Sequence, residues 1–276
     1  MAFQMTKVLL LSLLLCLVAC SSKEKKVKSQ QAALYYGAGT QALMSREYTE
    51  ALTNLMKANE LAPDDSNILT NLAMAYYFKG QKDLALTSLN AAIKANKDNS
   101  DAKVNLASLY YEMGRIDEAE KLYKLVLKDL TYDKQARTYY NLALIELEAK
   151  KNHREAQNYL ALAIKEDPNY CAAHMKLGLI QYDRRQFKQA LATFKEGTLG
   201  TCYDLPAPHY YQALSLTELG RFPEAKRKFE EVSQRFRSDV YAVKARTKLV
   251  ELQEYMSRQQ TTELRAPRKV FETPAF

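Results

Sequence analysis

The chain has 276 residues, is 47% hydrophobic, contains 19 Tyr and no Trp, and carries a formal charge of +8 from 40 basic and 32 acidic residues. The two signs are interspersed along the chain, without a basic stripe interleaved with aromatics, which argues against a nucleic-acid-binding surface. Three His, no Gly-rich phosphate loop, no serine on a strained elbow and no paired carboxylates leave no catalytic constellation, so no enzyme is expected.

At the amino terminus, Val8 to Val18 is an apolar run of eleven residues behind Lys7, interrupted only by Ser12, too short to span a bilayer and suited to the core of a signal peptide. It ends in Leu17-Val18-Ala19-Cys20, which resembles a bacterial lipobox. That resemblance implies removal of residues 1–19 and a covalent N-acyl and diacylglycerol lipid on Cys20, with no other cofactor. Ser21 stands where an Asp tends to retain such proteins at the inner membrane, so the resemblance implies the periplasmic face of the outer membrane. The alternative is an ordinary signal peptide or short anchor with an incidental Cys. Residues 20–31 read as the lipidated Cys and a polar tether.

From residue 32 a pattern of small and large residues recurs. The first small residue is Gly39, Ala73, Ala107, Ala143, Gly178 and Ala213, at steps of 34, 34, 36, 35 and 35 residues. The second is Ala51, Ala85, Ala119, Ala156, Ala190 and Ala225, with Leu55, Leu89, Tyr123, Leu160, Phe194 and Phe229 following. Gly80, Gly114 and Gly220 mark turns, and Pro63 and Pro168 close units. A period near 34 with these residue types resembles the tetratricopeptide repeat. The expected fold is all-α, a right-handed solenoid of six tetratricopeptide hairpins with a C-terminal capping helix. The repeats run over 32–65, 66–99, 100–135, 136–170, 171–205 and 206–238, the cap over 239–258, and a mobile tail over 259–276. The fourth hairpin carries one extra residue, expected in its internal turn between Ala149 and His153.

In such an array the first helix of each pair lines the inner curve, and helical spacing from the small residue selects what faces inward. This places Tyr36, Met44, Met74, Tyr77, Phe78, Tyr111, Tyr140 and Leu144 in an apolar groove suited to a hydrophobic or amphipathic segment of a protein partner. Packing between neighbouring helices is the plainer reading of any one of them. Asn71 and Asn105 recur one turn before the small residues, where they either bond a bound peptide's backbone or link helices. No small-molecule substrate and no nucleic acid is expected.

With Cys16 in the leader and Cys20 lipidated, Cys171 and Cys202 remain. Repeat geometry brings both to one end of the fifth hairpin, which suits a disulfide in an oxidising compartment. A zinc site of Cys171, His174, Cys202 and His209, and a pair of free thiols, are the alternatives.

The longer join before the fourth hairpin, Leu130-Thr-Tyr-Asp-Lys-Gln-Ala-Arg-Thr-Tyr-Tyr-Asn-Leu-Ala143, resembles the Leu-x-Tyr segment and following helix of the type IV pilus secretin pilotins, the PilF/PilW/Tgl family, with Ala143 in place of the more usual Gly. The pair Cys171 and Cys202 is similar to that of some members. The resemblance implies a non-enzymatic outer-membrane lipoprotein that binds the type IV pilus secretin subunit and promotes its insertion and multimerisation. A general periplasmic tetratricopeptide scaffold recruiting peptidoglycan enzymes or outer-membrane assembly components is the alternative.

Overall fold

The computed structural model describes residues 25–265, with side chains to 259. The expected leader, Cys20 and residues 266–276 lie outside the described residues. Among the described residues the chain is all helix, turn and loop, a tetratricopeptide solenoid fold whose contacts divide after Asp133 into two compact units. The division falls in the longer join ahead of the fourth hairpin.

The first unit holds three hairpins. Helix α1 (25–44) pairs with α2 (Tyr48–Leu61), α3 (Ser66–Phe78) with α4 (Lys82–Ala95), and α5 (Ser100–Glu112) with α6 (Ile116–Val126). Helix α1 begins inside the stretch expected to be tether. Polarity misleads there, because Lys and Gln have straight side chains that lose little rotamer freedom in a helix.

The second unit repeats the plan. Helix α7 (Gln135–Leu144) runs into a π-helical turn, Ile145–Ala149, and pairs with α8 (His153–Glu166). Helix α9 (Cys171–Asp183) pairs with α10 (Phe187–Glu196), and α11 (Pro206–Glu218) with α12 (Phe222–Arg235). Helix α13 (Val240–Arg265) lays Ala242, Ala245 and Leu252 on the last hairpin as the expected cap. It runs past residue 258, so the first part of the expected tail is helical.

The small residues sit where the helices of a hairpin touch. Ala51, Ala85, Ala119, Ala156, Ala190 and Ala225 are all fully buried. A methyl group added at Gly39 would meet Leu55 Cγ at 2.6 Å, and one at Gly178 would meet the Phe194 ring at 2.4 Å. Tyr123, the polar member of the large set, is 1% exposed and keeps its hydroxyl bonded, 2.8 Å from Ser108 Oγ.

Every hairpin turn contains one residue in the left-handed region. Gly80, Gly114 and Gly220 have φ of 76°, 75° and 71°, and Arg46, Lys151 and Arg185 take the same role at 62°, 57° and 59°. The next amide then donates back across the helix end, as Gln81 does to the Tyr76 carbonyl at 2.9 Å and Arg221 to Leu216 at 2.9 Å. In the fourth hairpin Asn152 instead reaches Glu146 at 2.7 Å, one residue further back. The extra residue is therefore absorbed upstream, in the π turn at Ile145–Ala149, and not in the loop where it was expected. Moving it there preserves the turn geometry that the other hairpins share.

The join between hairpins three and four is pinned at its start. Asp129 accepts from Ser100 Oγ at 2.7 Å and Thr131 Oγ1 at 2.6 Å, and these bonds hold its carboxyl below the usual range. Tyr132 donates to Asp101 at 2.9 Å.

Replacing Gly178 with Ala forces the new methyl group into the Phe194 ring, and the core must shift to accept it. Urea unfolding followed by circular dichroism is expected to show a loss of about 1–3 kcal/mol. An unchanged midpoint would mean that the small residue is not required by packing.

Candidate partner groove

The first helices of hairpins one to three bring six of the expected inner residues onto the first unit. Tyr36, Met74, Tyr77 and Tyr111 are half-buried, and Tyr36 and Tyr77 pack against the core clusters of their hairpins. Met44 is 76% exposed at the end of α1 and Phe78 46% exposed at the end of α3. In the second unit Tyr140 and Leu144 are half-buried on α7. Tyr140 meets Tyr170 edge-on at 5.5 Å, and burial pushes both phenols up.

The polar end of Tyr77 is tied to the neighbouring hairpin. Tyr77 donates to Glu112 Oε1, and Lys82 Nζ holds the other oxygen of that carboxylate at 3.2 Å. The hydrogen bond to Glu112 and partial burial push the Tyr77 phenol up to about 12. Its ring meets Phe78 edge-on at 5.2 Å, and Phe78 in turn stacks on Tyr48 at 4.6 Å. Phe78 thus belongs to the turn end of the unit, against the second helix of hairpin one, and not to the middle of the inner face.

The two asparagines are turned into the helix packing. Asn71 Nδ2 donates to Thr40 Oγ1 at 2.8 Å, joining α3 to α1, and Asn105 is only 8% exposed. Of the two readings the sequence allows, this geometry favours helix linking, because an amide already bonded or buried is not presented to a ligand.

Sequence spacing alone misses Tyr48 and Glu112. Glu112 lies 35 residues after Tyr77, one position out of register with the repeat. A search for partners one period away with a tolerance of one residue would have found it.

At the far end of the fifth hairpin Cys171 and Cys202 are joined, with Cα atoms 5.4 Å apart. Cys171 opens α9, and Cys202 ends a short 3-10 turn, Gly200–Cys202, in the connection to α11. The other members of the alternative metal set are committed elsewhere: His174 Nε2 lies 2.9 Å from the Pro168 carbonyl and His209 Nε2 2.8 Å from that of Tyr203. His209 is 1% exposed, and burial pushes its imidazole down despite Glu231 nearby. Arg235 clamps the same connection. It donates to the Tyr203 carbonyl at 2.9 Å and to Asp204 at 2.7 Å, and lies 3.4 Å over the Tyr203 ring.

Family models described as tetratricopeptide repeat match residues 66–99, 83–138 and 140–198. No curated protein sequence matches the chain. Among solved structures, PilF of Pseudomonas aeruginosa superposes with a TM-score of 0.66 at 16% identity, covering 80% of this chain and 99% of that one. PilW, described as a widely conserved type IV pilus biogenesis factor, gives 0.63 at 16% identity over 80% and 97%. A structure of the Cut9–Hcn1 hetero-tetramer of the APC/C gives 0.62 at 16% identity, covering 83% of this chain and 46% of that one. At these identities the likeness is one of fold.

Two outcomes follow from this geometry. Since folding favours the neutral Tyr77 phenol, its contribution is complete below pH 10 and is lost as pH rises towards about 12. Ultraviolet titration should show this phenol ionising well above its ordinary value of 10, and Glu112→Gln should return it towards that value; an unchanged curve in the variant would contradict a role for the Tyr77–Glu112 bond. Replacing Cys171 and Cys202 by Ser opens a loop of 31 residues and is expected to lower the urea stability of the second unit by about 3–4 kcal/mol on the chain-entropy model, with no loss if the bond is dispensable.

Proposed function

We propose that this protein is a non-enzymatic pilotin, a lipid-anchored assembly factor of the outer membrane that binds the type IV pilus secretin subunit and promotes its insertion and multimerisation. The observation that carries the reading is the half-buried band of Tyr36, Met74, Tyr77 and Tyr111 with Met44 exposed at its edge, on a fold built for protein contact. Such a face suits an apolar or amphipathic segment of a partner: its aromatic rings are held by packing and need little ordering on binding, and methionine adapts to irregular surfaces. Supporting it are the join resembling that of the pilotins and the likeness of fold to PilF and PilW over nearly their whole lengths.

In this reading the acyl chains on Cys20 hold the protein at the periplasmic face of the membrane. Each buried methylene contributes about 0.8 kcal/mol, so several chains anchor firmly where one would be marginal. The groove of the first unit takes an apolar segment of secretin, and confinement of many such complexes to one surface raises the effective concentration of subunits for ring closure.

Replacing Tyr77 and Tyr111 together with Asp tests the groove. Capture of purified secretin subunit by the full chain should weaken by about tenfold or more, with far-ultraviolet circular dichroism unchanged. Undiminished capture by a folded double variant would contradict the assignment.

A further inference from the structure

The second unit contains a cleft of about 500 Å³ that repeat spacing does not reveal, formed where α9, α11, the start of α12 and the capping helix α13 meet. Its floor includes Phe229 and Leu252, both buried. Its walls are aromatic: Tyr182, with Phe222 and Tyr255 meeting edge-on at 5.1 Å. Three charged groups share it. Lys248 is held by Glu251 at 2.7 Å, and Glu218 supplies a second carboxylate at the exposed end of α11.

Two carboxylates against one ammonium leave the cleft with a net negative charge. Lys248 is stabilised in its charged form chiefly by its hydrogen bond to Glu251. Burial together with the Glu218 carboxylate holds the Tyr182 phenol up to about 12, so this wall stays neutral. Among the described residues no cluster of three metal-ligating side chains occurs, whereas aromatic faces beside a carboxylate suit an organic cation with an apolar stem. Tyr255 is 42% exposed and Glu218 is exposed, so the rim lets a chain continue on either side of the captured group.

We infer that this cleft is a second binding site, separate from the groove of the first unit, that takes an arginine side chain presented by an extended segment of a partner protein. The stem lies between the ring of Tyr182 and the paired rings of Phe222 and Tyr255, and the guanidinium pairs with Glu218. The site stands on its own geometry and does not require the partner to be secretin.

The test titrates the full chain, followed by nuclear magnetic resonance of tyrosine and phenylalanine ring protons, with N-acetyl-Gly-Arg-Gly-amide and with the same peptide carrying neutral citrulline. The arginine peptide should shift the rings of Tyr182, Phe222 and Tyr255 at millimolar concentration and bind about tenfold tighter than the citrulline peptide, with Glu218→Gln removing most of that difference. Arg221→Gln, also on the surface of the second unit, should leave it intact. Equal binding of the two peptides, no ring shifts, binding unaltered by Glu218→Gln in a protein with native melting behaviour, or tighter binding of free spermidine than of the peptide would each overturn the assignment.

Discussion

Each hairpin depends on one contact, a small residue on its first helix against a large one on its second. Where the small residue is Gly39 or Gly178, the partner side chain occupies the space that a β-carbon would need. Of the other four pairs, Ala73 and Leu89, Ala143 and Leu160, and Ala213 and Phe229 each share a single packed cluster. This contact fixes the rotation of the first helix about its own axis, and so decides which residues are left facing away from the partner helix. The inner face follows from the same packing that holds the hairpin together.

The turns show how strictly that rotation is kept. A left-handed residue closes every hairpin, even where it is Arg46, Lys151 or Arg185 and carries a strain that Gly would avoid. When an extra residue enters the fourth hairpin, the helix takes up a π turn and the turn keeps its form. The repeat tolerates local strain within a helix more readily than a change in how its two helices meet.

Period, small residues and fold class were legible because burial of a close helix contact admits few side chains, so the chemistry repeats visibly. The left-handed residues were half legible: glycine announces the conformation at 80, 114 and 220, whereas arginine and lysine adopt it silently. The start of α1 was not legible, because Lys and Gln serve tether and exposed helix equally well. In the groove, spacing found the ring-bearing residues but not what their polar ends do. The bonds from Tyr77 to Glu112 and from Asn71 to Thr40 cross between hairpins and leave no trace in any single repeat. The cleft under α13 was hidden for a related reason, since the cap departs from the repeat and its lining joins residues of four helices.

In the proposed function, an apolar face on a lipid-anchored array gathers secretin subunits without transforming them. The most direct measurement is the state of secretin in membranes of cells with and without this protein, compared on an unheated denaturing gel beside a Cys20→Ala strain. The heat-stable secretin multimer is expected to disappear, leaving monomer, when the protein is absent, and to fall when the lipid site is removed. Unchanged multimer in all three would contradict this expectation and favour a general scaffold.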